Sequence, residues 1–179
     1  MKMKLLSVFL GFCVLCITTN YALGKGATSY LLPNYMHSDI AKIEVDLALG
    51  NGPRDMGTVD AIPTLVKKGV TSATVASYYL TNGTTLDVKV YTFSDKAQIR
   101  SDFAAKANEL RKASDSTNNS YFGRNTVYAT ADGFEFFVFY TGNVLVSITQ
   151  LFGDDDLEAF GKSYADWLDV IVDESLTSN

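Results

Sequence analysis

The chain has 179 residues, a formal net charge of −5 and 47% hydrophobic residues. This length suffices for one domain with a single core. Nucleic acids and anionic lipids are bound through clustered lysine and arginine, so the acidic balance argues against both as partners.

The first 24 residues have the three parts of a secretory signal peptide. Lys2 and Lys4 supply the positive start, and an apolar run follows from Leu5 to Ile17. As a helix this run would be about 20 Å long, shorter than the ~30 Å hydrocarbon core of a bilayer. Small residues in Ala22-Leu23-Gly24 fit a cleavage site. We therefore expect a soluble mature chain that begins near Lys25, is exported to the periplasm or out of the cell, and has no integral membrane span; an uncleaved anchor is the alternative.

Both cysteines, Cys13 and Cys16, lie in the predicted signal peptide. A mature chain without them would contain no thiol, which excludes disulfides, thiolate nucleophiles and cysteine-ligated metals. Loss of the two lysines with the signal would also change the formal charge from −5 to −7.

The first part of the mature chain is the least regular. Residues 25–38 predict an irregular lead-in around Pro33. The segment from Ile40 to Leu49 is ambiguous, because its apolar residues alternate as in a strand while its two alanines also permit a helix. After a glycine-containing loop, Asp60 is a candidate N-cap for a short helix that runs through Lys68.

The clearest local signal is a β-hairpin. Two alternating segments, Thr74 to Leu80 and Leu86 to Tyr91, flank the dipeptide Asn82-Gly83, which readily adopts the positive φ angles of a tight turn. The second segment directs its apolar residues to one face, and these are Leu86, Val88 and Val90.

A helix follows the hairpin. It is predicted to start at Ser94 and Asp95 and to run to about Ala113, because its apolar residues fall on one stripe. That stripe consists of Ile99, Phe103, Ala107 and Leu110. The polar run from Ser114 to Ser120 predicts a mobile loop.

From Thr126 the pattern is typical of an antiparallel meander. A strand to Ala131 is followed by an Asp132-Gly133 turn, a return strand, a turn at Thr141-Gly142-Asn143, and a last strand from Val144 to Phe152. A final helix begins after Asp154, Asp155 and Asp156, where the helix dipole favours negative charge. Its predicted apolar stripe is Leu157, Phe160, Tyr164, Leu168 and Ile171, with Trp167 and Val172 at the border.

These elements predict one α+β domain over residues 25–179. It consists of an antiparallel sheet of about five strands, with two long amphipathic helices and one short helix packed on it. Three segments, namely Tyr30-Leu31-Leu32-Pro33, Ile62 to Leu80 and the aromatic meander, carry a resemblance in architecture to a family of uncharacterised exported bacterial α+β domains. PsbP-like domains are a looser comparison. The resemblance covers most of the mature chain and implies no catalytic residue.

The segment from Phe134 to Tyr140, FEFFVFY, contains five aromatic residues. In a strand its two faces are both apolar, which predicts an interior strand covered on both sides by helices. An RNA-recognition strand is the alternative, but Asp132 and Glu135 would carry negative charge where phosphate binds. We therefore predict that this segment belongs to the core.

No catalytic or cofactor-binding residues are predicted. His37 is the only histidine, and no second histidine or mature cysteine could complete a zinc site or a catalytic triad. The segment Gly50-Asn51-Gly52 lacks the helix and lysine of a phosphate-binding loop. Asp154, Asp155 and Asp156 are the candidates for a metal site, although the glycine and closing glutamate of a calcium loop are missing and a charged helix start accounts for them.

The tyrosines are the candidates for contacts with a partner, because tyrosine is favoured at protein interfaces. They are Tyr78, Tyr79, Tyr91, Tyr121 and Tyr128, with packing at sheet edges as the alternative. The leading hypothesis is an exported, non-catalytic protein that binds a protein partner or assembles with itself. The alternatives are a small carboxylate-dependent hydrolase or carbohydrate-processing enzyme, and a carrier of a small apolar ligand.

Overall fold

A computed structural model describes residues 26–50, 68–114, 120–154 and 156–177. They form an α+β fold in which an antiparallel sheet carries helices on both faces. The strands are β1 (Ile40–Leu49), β2 (Val70–Leu80), β3 (Thr85–Phe93), β4 (Tyr121–Phe122), β5 (Thr126–Ala131), β6 (Phe134–Thr141) and β7 (Val144–Phe152). The helices are α1 (Lys96–Ala113) and α2 (Leu157–Thr177), and two 3-10 turns precede β1 at Ala27–Tyr30 and Asn34–Met36. The predicted signal peptide, most of the predicted short helix at 60–68 and most of the predicted loop at 114–120 lie outside the described residues.

The sheet has the strand order β1-β2-β3-β7-β6-β5-β4, and every neighbouring pair is antiparallel. The central strand, β7, is therefore the last strand in the chain. The predicted number of about five strands is wrong, because the described residues form a sheet of seven. The two additional strands are the ambiguous segment β1 and the two-residue β4, and they form the two edges.

The ambiguous segment from Ile40 to Leu49 is a strand with two irregularities. Its register against β2 shifts between Ile40 and Lys42 and again between Val45 and Leu47. A bulge inserts one residue and so reverses the face of the residues that follow it. The apolar residues of β1 consequently divide between the two faces: Ile43 packs with the residues beneath α2, whereas Leu49 packs with those beneath α1.

The two helices of the described residues lie one on each face of the sheet. The buried stripe of α1 packs with Val138 and Leu145, whereas that of α2 packs with Phe137 and Val146. Because consecutive strand residues point to opposite faces, the two helices lie on opposite sides of the sheet. The α1 stripe is the predicted one, Ile99, Phe103, Ala107 and Leu110. In α2 the prediction was wrong at one position, since Val172 is buried and Ile171 only partly so.

The interior position of FEFFVFY is confirmed. Phe137, Val138 and Phe139 are almost fully buried, with Phe139 in edge contact with Tyr164 of α2 and Val138 beneath α1. The start of the segment is different: Phe134 is 44% exposed, because it follows the turn at the end of the hairpin.

Two hairpin turns lie at the residues predicted for them. Asp132 and Gly133 both have positive φ, 52° and 81°, as a tight hairpin turn requires. Between β2 and β3 only Gly83 has positive φ, 90°. Asn82 instead accepts a hydrogen bond from the Thr84 backbone N–H at 2.9 Å, so its side chain closes the turn.

The residues before β1 are tied to the sheet and to α2 by buried hydrogen bonds. Tyr78 donates its hydroxyl hydrogen to the carbonyl oxygen of Leu32 at 2.9 Å, and Tyr164 donates to that of Tyr30 at 2.7 Å. The Ala27 backbone N–H donates to Ser72 Oγ at 2.7 Å. These bonds satisfy polar groups that would be costly to bury unpaired.

Within the described residues, neither helix is long and apolar enough to cross a bilayer.

Candidate functional site

The five candidate tyrosines do not converge on one surface. Tyr78 and Tyr79 are consecutive in β2 and so point to opposite faces. Tyr78 has no exposed surface and its hydroxyl is bonded to the Leu32 carbonyl, so it is a core residue that a partner cannot contact. Burial raises the pKa of its hydroxyl far above the ordinary value. The prediction of contact with a partner is therefore not supported for Tyr78.

The other three tyrosines lie along the rest of the sheet. Tyr121 of β4 is 58% exposed and is the cross-strand partner of Tyr128 in β5. Burial, followed by the nearby Glu135 carboxylate, raises the pKa of Tyr128. Tyr91 is half-buried in β3 beneath α1, and burial is the main cause of its raised pKa.

Of the predicted metal candidates, Asp156 caps the start of α2. Asp156 immediately precedes α2, and its Oδ1 accepts a hydrogen bond from the Ala159 backbone N–H at 2.9 Å. Asp154 is exposed, and Asp155 lies outside the described residues. In the described parts of the chain, no three histidine, cysteine or acidic side chains group as metal ligands do. His37 is half-buried, with its Nδ1 3.9 Å from Asp39 Oδ2 and its ring packed against Phe160 of α2. Its contacts are those of a structural residue.

The outer edge of β1 combines exposed apolar residues with an ordered charge pair. Val45 and Leu47 are 48% and 44% exposed. Lys42 forms an ion pair with Glu44, which also accepts a hydrogen bond from the Tyr79 hydroxyl at 2.9 Å. The hydrogen bond from Lys42 and that from Tyr79 lower the pKa of Glu44, while the hydrogen bond to Glu44 raises the pKa of Lys42. Of the five tyrosines, Tyr79 is the one whose hydroxyl bonds to this charge pair.

The register shows which backbone groups of β1 face outwards. Leu80 donates its N–H to Thr84 at the start of β3, and Thr81 donates to the Asp39 carbonyl just before β1. Backbone groups in antiparallel strands alternate between their two neighbours. The odd-numbered residues of β2 therefore bond to β1, where Tyr79 and Ser77 oppose Lys42 and Glu44. It follows that Ile43 and Val45 direct their N–H and C=O groups away from β2, and none of the described strands lies on that side.

A cleft of about 370 Å³ lies between α1 and the sheet. Tyr91, Phe136 and Leu145 contribute apolar walls, and Ser147 and Thr149 contribute hydroxyls. Each lysine that lines it has its Nζ near a carboxylate oxygen. The pairs are Lys68 with Asp102 at 3.9 Å, Lys89 with Asp87 at 2.8 Å and Lys106 with Glu109 at 2.7 Å. The cleft is thus a mainly apolar space with a rim of balanced charge, and such spaces hold small ligands.

Comparison of the chain with models of protein families, with curated proteins and with solved structures found no match.

Proposed function

We propose that this chain is an exported, non-catalytic protein that assembles with a second copy of itself through the outer edge of β1. The outward backbone groups of Ile43 and Val45, which no described strand pairs, are the observation that carries this proposal. An edge strand with unpaired groups is a template for a further strand. We also propose that the chain is related to the exported bacterial domains that it resembles, and that it is exported to the periplasm or out of the cell.

The charge pattern of β1 suits an antiparallel pair of identical strands. In a two-fold interface, when residue i contacts residue j of the second copy, residue j also contacts residue i of that copy. The charge pattern of the strand must therefore be complementary to itself. With Ile43 opposite Ile43 of the second copy, Lys42 lies opposite Glu44 and Glu44 opposite Lys42. Opposite charges across a strand pair stabilise it, and the outward backbone groups of the two strands then face each other.

Neighbouring registers are less favourable. A pair centred on Glu44 brings two glutamates together, and one centred on Lys42 brings two lysines together, which destabilises the pair. A pair centred on Val45 brings Glu44 opposite Asp46. A register shifted by one residue is unfavourable for another reason. It places the outward backbone groups of one strand opposite residues of the other strand whose backbone groups already bond to β2. The register centred on Ile43 also lies between the two bulges, which are unsuited to regular pairing.

Light scattering and sedimentation of the purified chain test the proposal. We expect a molar mass twice that of the monomer. Glu44→Lys should give monomers, because two lysines then oppose each other at both ends of the pair. The double variant Lys42→Glu/Glu44→Lys should restore the dimer, because the charges exchange places and remain complementary.

The matched control is Glu158→Lys, which makes the same charge change at an ion pair on α2, with Lys162 at 2.7 Å. It should leave the dimer unchanged. Because these residues are exposed or half-exposed, each variant should fold, which circular dichroism can verify. A wild-type monomer at millimolar concentration would contradict self-assembly. A dimer that survives Glu44→Lys, or a double variant that stays monomeric, would contradict this register.

A second candidate function is the carriage of a small apolar ligand, which the cleft beside α1 favours. Its volume of about 370 Å³ falls within the range of ligand pockets. Titration with the neutral fluorescent probe N-phenyl-1-naphthylamine tests it, with Phe136→Ser expected to weaken binding. Phe134→Ser, on the same strand and face but outside the cleft, is the control. Equal effects of the two substitutions, or no binding, would contradict the carrier function.

The hydrolase alternative gains no support from this cleft. Its two carboxylates, Asp102 and Glu109, are seven residues apart on α1, which separates them by about 10 Å along the helix axis. Glycosidase carboxylates work at roughly 5 to 9.5 Å, and these two are engaged by Lys68 and Lys106.

A further inference from the structure

A concavity of about 350 Å³ lies between α1 and the residues that follow β4. Arg100 and Arg111 line it from α1, and Arg124 lines it from the loop between β4 and β5. Three of the four arginines in the chain thus line one concavity, and none of the described aspartates or glutamates lines it. This concentration of positive charge occurs in a protein whose net charge is −5.

The helix and the aromatic residues around it account for the position of these arginines. Arg100 and Arg111 are eleven residues apart, which is three helical turns, so they project from one side of α1. The guanidinium of Arg111 lies over the ring of Phe122 at 4.6 Å and donates a hydrogen bond to Asn108 Oδ1 at 3.0 Å. These contacts orient its remaining N–H donors without neutralising its charge.

The arginines have no carboxylate partners among the described residues. The ion pairs on and near α1 are made by lysines, Lys68 with Asp102 and Lys106 with Glu109. An anion that enters the concavity accepts the paired hydrogen bonds that guanidinium groups form with phosphate and carboxylate.

The concavity also has an apolar side. Phe103 and Tyr140 line it with their rings in edge contact at 5.1 Å. A bare inorganic ion would not use this surface, whereas a ligand that joins an acidic group to an apolar body would use both. We propose that the concavity binds a small organic anion, with its phosphate or carboxylate group on Arg111 and Arg124 and its apolar part on Phe103 and Tyr140. This site is separate from the β1 edge and from the cleft, so it does not rest on the proposed function.

Calorimetric titration of the full chain with three probes tests the proposal: phenyl phosphate, phenylacetate and inorganic phosphate. Binding of either aromatic probe at least about tenfold more tightly than inorganic phosphate is the expected result, since the apolar contact adds affinity. The stronger of the two aromatic probes identifies the acidic group that the site prefers. Affinity should fall as salt is added, because the interaction is electrostatic.

Two variants separate a specific site from general attraction to positive charge. Arg124→Gln should weaken the aromatic probes about tenfold or more through the loss of a charge-assisted contact. Lys112→Gln makes the same change in net charge at an exposed position of α1 outside the concavity and should have no effect. Equal weakening by both variants, equal affinity for all three probes, or no binding at millimolar concentration would overturn the proposal. Thermal melts of both variants establish that they fold.

Discussion

Tyr164 in the last helix donates its hydroxyl hydrogen to the backbone carbonyl oxygen of Tyr30, 134 residues earlier in the chain, at 2.7 Å. Tyr78 makes the equivalent bond to Leu32 from the sheet beneath. Both side chains are fully buried, so water cannot replace either bond. The segment Tyr30-Leu31-Leu32 is thereby fixed between α2 and the sheet, and its role in this fold is structural.

We predict that Tyr164→Phe destabilises the protein by about 1–3 kcal/mol. The phenylalanine ring fills the same space, but the buried Tyr30 carbonyl loses its partner. Urea denaturation followed by circular dichroism measures the change. The control is Tyr121→Phe, at a 58% exposed position, for which we expect a change within about 0.5 kcal/mol. Similar stability of the Tyr164→Phe protein and the wild type would show that the bond contributes nothing.

A second prediction concerns alkaline pH. Burial raises the pKa of the Tyr78 and Tyr164 hydroxyls above the ordinary value of 10.0. The folded protein therefore keeps these protons at a pH where the unfolded chain releases them. Their contribution to stability is complete below about pH 10 and is lost as the pH rises further.

Each buried tyrosine should steepen the fall in the free energy of unfolding above about pH 10 by up to ~1.4 kcal/mol per pH unit. Urea denaturation of the wild type and of Tyr78→Phe/Tyr164→Phe at a series of alkaline pH values measures the two slopes. The other titrating groups are common to both proteins, so their contribution cancels in the difference between the slopes. Equal slopes for the two proteins would contradict the prediction.

A third prediction follows from the close approach of α2 to β6. A Cβ atom added at Gly161 would overlap the ring of Phe137, which is almost fully buried and cannot move aside freely. Alanine usually favours a helix by about 1 kcal/mol over glycine, but overpacking a core costs about 1–3 kcal/mol. Gly161→Ala should therefore destabilise the protein.

The double variant Gly161→Ala/Phe137→Leu checks the cause. If the overlap is responsible, the two substitutions together should cost less than the sum of their separate effects in a double-mutant cycle. Ser163→Ala, at an exposed position of the same helix, is the control and should be neutral or slightly stabilising. A Gly161→Ala protein more stable than the wild type would refute the tight packing.

A fourth prediction concerns the helix caps. Asp95 Oδ1 accepts a hydrogen bond from the Ala97 N–H at 2.8 Å, and Asp156 Oδ1 accepts one from Ala159. Replacement of either aspartate by alanine should cost about 1 kcal/mol in the free energy of unfolding, whereas Asp154→Ala should cost less. A rise in melting temperature on addition of calcium, abolished by Asp156→Ala, would instead favour the metal site considered for the three aspartates.

The sequence predicted well those elements whose signal is local. The stripe from Ile99 to Leu110 repeats at helical spacing, and the Asp132-Gly133 turn has residues that tolerate positive φ. For such elements the periodicity and the turn chemistry are contained within a few residues. The α+β class could be predicted from these helices and strands taken together.

Features that depend on distant residues were predicted less well. The bulges of β1 are defined by its register against β2, and the two-residue β4 is too short for a periodic signal. Alternation separates Tyr78 from Tyr79, but which of them is buried depends on α2 and on residues 27–32. The charged alternation of Lys42 and Glu44 and the eleven-residue spacing of Arg100 and Arg111 are visible in the sequence, but neither shows which residues lie opposite them in the fold.

The position of β7 at the centre of the sheet has a consequence for the order of folding. Until residues 144–152 join the sheet, the strands β1-β2-β3 and β4-β5-β6 can form only as two separate units. Each unit then has an unpaired edge, on β3 and on β6, of the kind that promotes aggregation of incompletely folded chains. A chain truncated before Val144 should therefore be insoluble.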